Sequence, residues 1–320
     1  MPLLIGTDEA GYGPTLGPLV IVATVWKTPE GRSVADAFAP FEGGLTTEEG
    51  ERLPIGDSKK LFNPRAAGSL AGLESTIAAF GASAFRDPHT LGDLLARLCP
   101  EDHAELSRCP WSGRLQVPFP LAAPSDRTLR HRELVEKVLA ESGLQLVAVA
   151  ARVIDAGPFN RLCESLGNKA SLLSEATLRL ASERIDAVPA EGEVHVFSDR
   201  HGGRHRYGGL LQHTRPDGGL RILREGSPES RYHLEEAERT IDWRFTVKGD
   251  RFVPVALASM IAKYLRERLM ERFNAFWQSH HGEPLVPTAG YPSDAGRFCE
   301  QIQPLARRLG IDSGSYIRSR

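Results

Sequence analysis

Near its start the chain runs Leu3-Leu4-Ile5-Gly6-Thr7 straight into Asp8-Glu9-Ala10-Gly11-Tyr12-Gly13-Pro14, and a second apolar run follows at 19–26. The first run reads as a buried strand, and two adjacent carboxylates close it. Successive side chains of a strand point to opposite faces, so Asp8 and Glu9 reach one ion only if the backbone bends just after them. Gly11 and Gly13 supply that bend through positive φ or a bulge, and Pro14 ends the ladder by lacking an N–H. Two carboxylates held together repel, and a divalent cation is the simplest remedy. Asp8 and Glu9 are therefore read as metal ligands, although an acidic, solvated turn explains this stretch equally well when it is taken alone. A dinucleotide fingerprint is excluded. Gly17 falls one place late for the third glycine, Pro14 and Pro18 interrupt the loop, and a strand follows where the phosphate-binding helix would begin.

The 320 residues are 41% hydrophobic and 25% charged, within the range of globular chains able to bury a large core. A net charge of -2 does not announce a nucleic-acid binder, but it averages over faces and leaves room for a local basic groove. Cys99, Cys109, Cys163 and Cys299 form no C-x-x-C pair, so a zinc site and a dense disulfide framework are both disfavoured. No apolar run approaches 18 residues, and no basic-then-apolar leader opens the chain. The expectation is a cytoplasmic monomer with no membrane partner.

Further along, 27–54 is rich in Gly, Pro and acidic residues and reads as an irregular excursion with a short helix near 34–38. Asp57-Ser58-Lys59-Lys60-Leu61 opens a turn or a helix start, followed by Asn63-Pro64 and a helical pattern over 66–80. Segment 86–130 reads as an elaborate connection with short helices at 91–98 and 102–106. Helical spacing returns at 128–141, a strand is expected at 144–153, and Asn168 is suited to cap a helix that reaches about 185. A strand over 193–199 ends in another carboxylate, Asp199, before a basic, glycine-rich loop at 200–209 able to approach a polyanion. A short acidic helix is expected near 234–239 and a strand at 243–248. A long amphipathic helix is expected over 253–277, then a last helix at 295–309 and a frayed basic end containing Arg307, Arg308, Arg318 and Arg320. On the long helix Lys263 and Glu267 lie four apart, which by itself signals only a surface ion pair.

Taken in order, Thr7-Asp8-Glu9-Ala10-Gly11-x-Gly13-Pro14, Gly17-Pro18, Asp57-Ser58-Lys59-Lys60-Leu61, Asp199, Gly249-Asp250, and Ala258-Ser259-Met260-Ile261-Ala262-Lys263 with Glu267 resemble the type 2 ribonucleases H. Phe159-Asn160-Arg161-Leu162, Gly167-Asn168 and a helix-borne Glu are similar to the ribonuclease HIII branch. Ala10 and the 57–61 run are closer to ribonuclease HII. The resemblance implies an α/β, RNase H-like fold: a mixed five-stranded sheet flanked by helices, one catalytic domain with insertions at about 27–54, 86–130 and 200–240, and a C-terminal helical segment from about 253. It implies that Asp8, Glu9, Asp199 and Glu267 gather two Mg²⁺ or Mn²⁺ ions. It implies hydrolysis of the RNA strand of RNA–DNA hybrids, or of ribonucleotides embedded in DNA, leaving a 5′-phosphate and a 3′-hydroxyl. Substrate contacts fall to Gly11, Tyr12, Gly13, Ser58, Lys59, Lys60, Asn168 and Lys263, with Tyr291 favoured over Tyr264 and Tyr207 to stack on a sugar.

Tyr12 stands where the family carries Arg or Lys, which implies an altered choice of substrate, and the histidine expected shortly after Tyr291 is absent. A nucleic-acid-binding module that has lost its chemistry is the alternative from another class. The nuclease reading requires the four carboxylates to converge. It fails if Glu267 points away and no room for ions remains.

Overall fold

The computed structural model describes residues 1–319 apart from 64–67, 86, 114, 122, 124 and 189–191. Pro64, Ala66, Arg86 and Arg320, named above in a turn, at a helix start, at a segment boundary and in the basic tail, lie outside the described residues.

Seven strands form the main sheet: β1 (Leu3–Ala10), β2 (Leu19–Lys27), β3 (Gln145–Ile154), β4 (Gly192–Asp199), β5 (Gly219–Arg224), β6 (Glu229–Glu235) and β7 (Arg239–Thr246). Their order is β3-β2-β1-β4-β7-β6-β5. β1 runs parallel to β4, and β4 parallel to β7, while the remaining neighbours are antiparallel. The sheet is mixed and flanked by helices, as expected, and wider than the five strands expected. The extra width is the β5–β6 hairpin from within 200–240. The acidic helix expected near 234–239 does not form. Those residues finish β6 and turn into β7, because the alternating buried positions Ser230, Tyr232 and Leu234 pair in register with β7 and bury one face.

Seven of the helices matter for the site: α1 (Ser58–Leu61), α2 (Ala71–Ala84), α3 (Ser125–Ser142), α4 (Ala156–Leu166), α5 (Lys169–Ala187), α6 (Val253–His281) and α7 (Pro292–Arg308). Side chains of β1 and β2 alternate between the two faces of the sheet. Leu4, Val20, Val22 and Trp26 pack with α6, α2 and Val135 of α3. Leu3, Ile5, Leu19, Ile21, Ala23 and Val25 pack with α4 and α5. A third cluster joins the far end of α6, through Met270, Phe273 and Trp277, to Phe298, Ile302 and Leu305 of α7 and to Trp111.

The start of α6 lies directly on the sheet because Gly6 offers no side chain. A Cβ there would stand 2.4 Å from the backbone carbon of Pro254. Thr24 Oγ1 donates to the Pro254 carbonyl at 2.8 Å and fixes the same crossing. α6 therefore passes the C-terminal ends of β1 and β4 at a set height, and this positions the cleft described next. All four cysteines are free. Among the described residues no helix is long and apolar enough to cross a membrane.

Candidate active site

Parallel strands β1 and β4 pair from Leu3 with Val194 to Thr7 with Ser198, so Asp8 and Asp199 emerge side by side where the two strands end. Carboxyl ends of neighbouring parallel strands are where open α/β sheets leave a crevice. Thr7 Oγ1 donates to Ser198 Oγ at 2.7 Å just beneath the pair and locks the strands together. A cleft of about 920 Å³ opens there, bordered by Asp8, Glu9 and Asp199, by the Gly11–Gly13 loop, by α1 and by one face of α6.

The carboxylates are uncomfortable in this setting. Burial, then repulsion from Asp199, pushes Asp8 up to about 7, against the help of Ser259, the Glu9 N–H and Lys59. Burial and the charges of Asp8 and Asp199 hold Glu9 well above the usual carboxylate range. Asp199 is raised as well, by burial first, while the N–H groups of Gly249 and Arg200 oppose the shift and Asp250 adds to it. Its Oδ1 accepts from Gly249 N at 2.7 Å.

Cations surround this floor. Asp57 caps α1 by accepting from Lys59 N at 2.9 Å, and the Lys59 charge favours the ionised form of all three acids. Lys60 borders the same cleft with an exposed side chain, 3.9 Å from Asp57. Ser58 Oγ lies 2.9 Å from Ser259 Oγ and ties α1 to α6. Lys263 and Arg266 of α6, and Lys248 and Arg251 beyond β7, complete the walls.

The Gly11–Gly13 loop is built as the bend required it. Gly11 has φ +91°, and a Cβ there would stand 2.4 Å from the Pro18 carbonyl oxygen and 2.8 Å from Arg266 Nε, so only glycine fits. Tyr12 is partly buried with Lys169 Nζ 5.2 Å from its ring centroid. Tyr291 borders the cleft and is 45% exposed, whereas Tyr207 and Tyr264 are 0% and 1% exposed. Tyr207 stacks on Phe245 at 3.6 Å, and Tyr264 bonds Glu74 at 2.5 Å. Neither can meet a substrate.

Two residues stand elsewhere than the resemblance implies. Glu267 does not border the cleft. Its Oε1 accepts from both Lys263 Nζ and Arg266 Nη1 at 2.8 Å, and the side chain lies toward a neighbouring hollow with Arg268 and Thr288. Helical phase alone does not decide this, since at about 100° per residue position 267 lies only about 40° around α6 from Lys263, which borders the cleft; the pairing of the carboxylate with Lys263 and Arg266 sets its direction. Asn168 is an exposed cap whose side chain accepts from Ser171 N at 2.9 Å, outside the cleft. It is the next residue, Lys169, that reaches Tyr12.

The basic loop after β4 is also less free than it reads. His201 is buried, its ring is pushed down to about 3 by burial and by Arg204, and its Nδ1 lies 3.1 Å from Ser174 Oγ, so it serves packing.

Other cleft residues escaped the sequence reading. Ser259 and Arg266 were legible as the positions four before and three after Lys263, a spacing that shares one helical face. Asp57 and Asp250 were visible as motif members but not as neighbours of the acids.

Oxygen donors that repel one another suit a hard divalent cation. Among the described residues, however, no group of three or more His, Cys, Asp or Glu side chains is arranged so as to hold an ion. The donor chemistry thus fits a metal, while Glu267 is not presented as a fourth ligand. Asp8, Glu9 and Asp199 all border the open cleft.

No family model matches the chain, and no curated protein matches it. Among solved structures it is similar to the RNase HII of Archaeoglobus fulgidus, solved in a PCNA complex, at 15% identity over 99% of this chain and 94% of that one, with a TM-score of 0.39. It is similar to the ribonuclease H2 of Pyrococcus horikoshii OT3 at 15% identity over 98% and 92%, TM-score 0.39. It is also similar to Bst-RNase HIII in complex with Mn²⁺ at 16% identity over 99% and 66%, TM-score 0.38. At such values a likeness decides nothing about activity, and the weight falls on the cleft's own residues.

Proposed function

We propose that this chain is a metal-dependent endonuclease that hydrolyses RNA within RNA–DNA hybrids, or ribonucleotides embedded in DNA. The observation that supports it most is a floor of three crowded carboxylates, Asp8, Glu9 and Asp199, inside a cleft walled by Lys59, Lys60, Lys248, Arg251, Lys263 and Arg266. Such a floor wants cations and such walls want a polyanion. Together they suit a phosphodiester brought to bound metal.

In this reading Asp8, Glu9 and Asp199 hold the ions. Two Mg²⁺ or Mn²⁺ ions, when bound, supply Lewis-acid polarisation of the phosphoryl group and a more acidic water. Lys59 and Lys60 meet the substrate backbone. Gly11 and Gly13 let the loop backbone come close to a ribose, whose 2′-hydroxyl distinguishes RNA from DNA. Tyr291 offers an exposed ring to the sugar beyond the cut. Water adds to phosphorus, the bond to the 3′-oxygen breaks, and that oxygen leaves with a proton, giving a 5′-phosphate and a 3′-hydroxyl. Glu267 enters by holding Lys263 and Arg266 against the cleft. Its Oε1 is committed to that pair.

The test is cleavage of a defined hybrid under Mg²⁺ and Mn²⁺, with Asp8→Asn alongside the wild type. Loss on the order of 100-fold or more, with hybrid binding kept, is expected. Full activity of Asp8→Asn rules the assignment out. Equal cutting of an all-DNA duplex retains the nuclease but rejects ribonucleotide specificity, the outcome that Tyr12 in its Lys169 contact would favour. The second reading, a binding module without chemistry, draws on the pairing of Glu267 with Lys263 and Arg266. Hybrid binding without turnover across both metal titrations would establish it.

A further inference from the structure

The end of the chain, expected to fray, is instead tied to the Gly11–Gly13 loop. Ile317 forms an isolated bridge with Leu16, and Arg318 N donates to the Thr15 carbonyl at 2.9 Å. Asn160 on α4 clamps the same segment, donating through Nδ2 to the carbonyls of Gly314 and Ile317 at 2.9 and 2.8 Å and accepting from Ser319 N at 2.5 Å. Tyr316 is buried edge-on against Trp277, with ring centroids 5.5 Å apart.

Arg318 is the unusual member. It is 3% exposed, its guanidinium lies 4.6 Å from the Phe159 ring centroid, and its Nη2 donates to the Gly11 carbonyl at 2.6 Å. Its Nε and Nη1 find no hydrogen-bond partner among the described residues. Burial and the neighbouring Arg266 charge depress it to about 9, and Asp155 compensates only in part. A buried cation with unpaired N–H groups beside a second cation is a poor way to stabilise a fold, since an apolar side chain of similar volume would be cheaper. What the guanidinium does provide is one charge-assisted bond to Gly11, the glycine whose positive φ turns the loop over the acids.

We propose that residues 311–319 are a strap that fixes the Gly11–Gly13 loop, with Arg318 as a positioning residue acting through the Gly11 carbonyl. The consequence for cleavage rests on the nuclease reading, whereas the mechanical claim does not. Arg318 contacts no reacting atom. It sets the peptide groups that the loop turns toward the cleft.

Hydrogen–deuterium exchange of the substrate-free protein tests the strap directly. Arg318→Ala is expected to raise uptake at residues 10–18 at least tenfold in rate, with uptake in α5 unchanged, and Arg318→Lys, which keeps a donor, to restore part of the protection. Asn160→Ala frees the strap without touching the buried charge, and it carries the test if Arg318→Ala fails to fold. Combined with Arg318→Ala it should add little further uptake. In hybrid cleavage both variants should lower kcat about tenfold or more while Mn²⁺ affinity stays the same. Unchanged uptake at 10–18 in folded Asn160→Ala or Arg318→Ala overturns the proposal, even if the wild type cleaves hybrid. Raised uptake in a protein that cleaves nothing upholds the strap and leaves the nuclease reading to fall alone.

Discussion

Asp8 shows most plainly what the fold does to a single residue. Its carboxyl, ordinarily near 3.8, is held near about 7 by burial and by Asp199. The folded chain therefore binds this proton more tightly than the unfolded chain does. Its contribution to stability is full below about pH 4 and is lost as pH rises through 7. Each unit of displacement is worth about 1.4 kcal/mol, so the charged form costs the metal-free protein on the order of a few kcal/mol above pH 7. Asp8→Asn removes that cost. With a chelator present, urea midpoints are expected to be higher for the variant at pH 8 and to converge with the wild type near pH 4. A wild type that gains stability from pH 5 to 8, relative to Asp8→Asn, would contradict the burial assigned to this group. At the same scale, Lys263 and Glu267 form the plain i,i+4 ion pair that spacing alone suggested, and the sharper role for Glu267 depends on a side-chain direction that spacing does not carry.

At the scale of elements, α6 is the part on which the cleft depends. It was legible as a long helix from its apolar spacing, and it runs from Val253 to His281. Its height over the sheet was not legible, because that height is set by Gly6 in a strand more than 240 residues earlier, meeting Pro254 across the core. Gly6→Ala should force the helix away from β1 and cost about 1–3 kcal/mol of stability, as overpacking does. A chemical denaturation curve measures it, and a neutral outcome would mean that the crossing is looser than the 2.4 Å approach implies. The hairpin β5–β6 makes the complementary point. The segment 234–239 looked helical by its charges, but pairing with β7 buries Leu234 and Tyr232 completely, and local propensity is too weak to oppose that.

For the whole molecule, two apolar clusters meet at α6, one at each end, a third fills the opposite face of the sheet, and the chain's first and last described segments meet at the Gly11 loop. A cation bound on the shared floor therefore links β1, β4 and their neighbours at once. Ligands that bind only the folded state stabilise it by mass action, by about 2.7 kcal/mol at a hundredfold excess over Kd. Titration with Mn²⁺ is accordingly expected to raise Tm at pH 8 by several degrees in the wild type and to leave Asp8→Asn unmoved. An unmoved wild type would mean that the floor holds no ion.

The sequence by itself determined most of the elements and named the acids of the cleft. The run from Leu3 had to be a strand with two acids at its end, Asp199 had to end another, and a glycine just beyond the first acids had to turn the chain, because periodicity and backbone sterics are local properties. The tertiary structure alone decided which of these residues meet. It paired Asp8 with Asp199 through the parallel register of β1 and β4, set α6 against Gly6 at Pro254, and brought Arg318 some 300 residues back to Gly11. Those are matters of register and of packing between distant segments, and a linear pattern records neither.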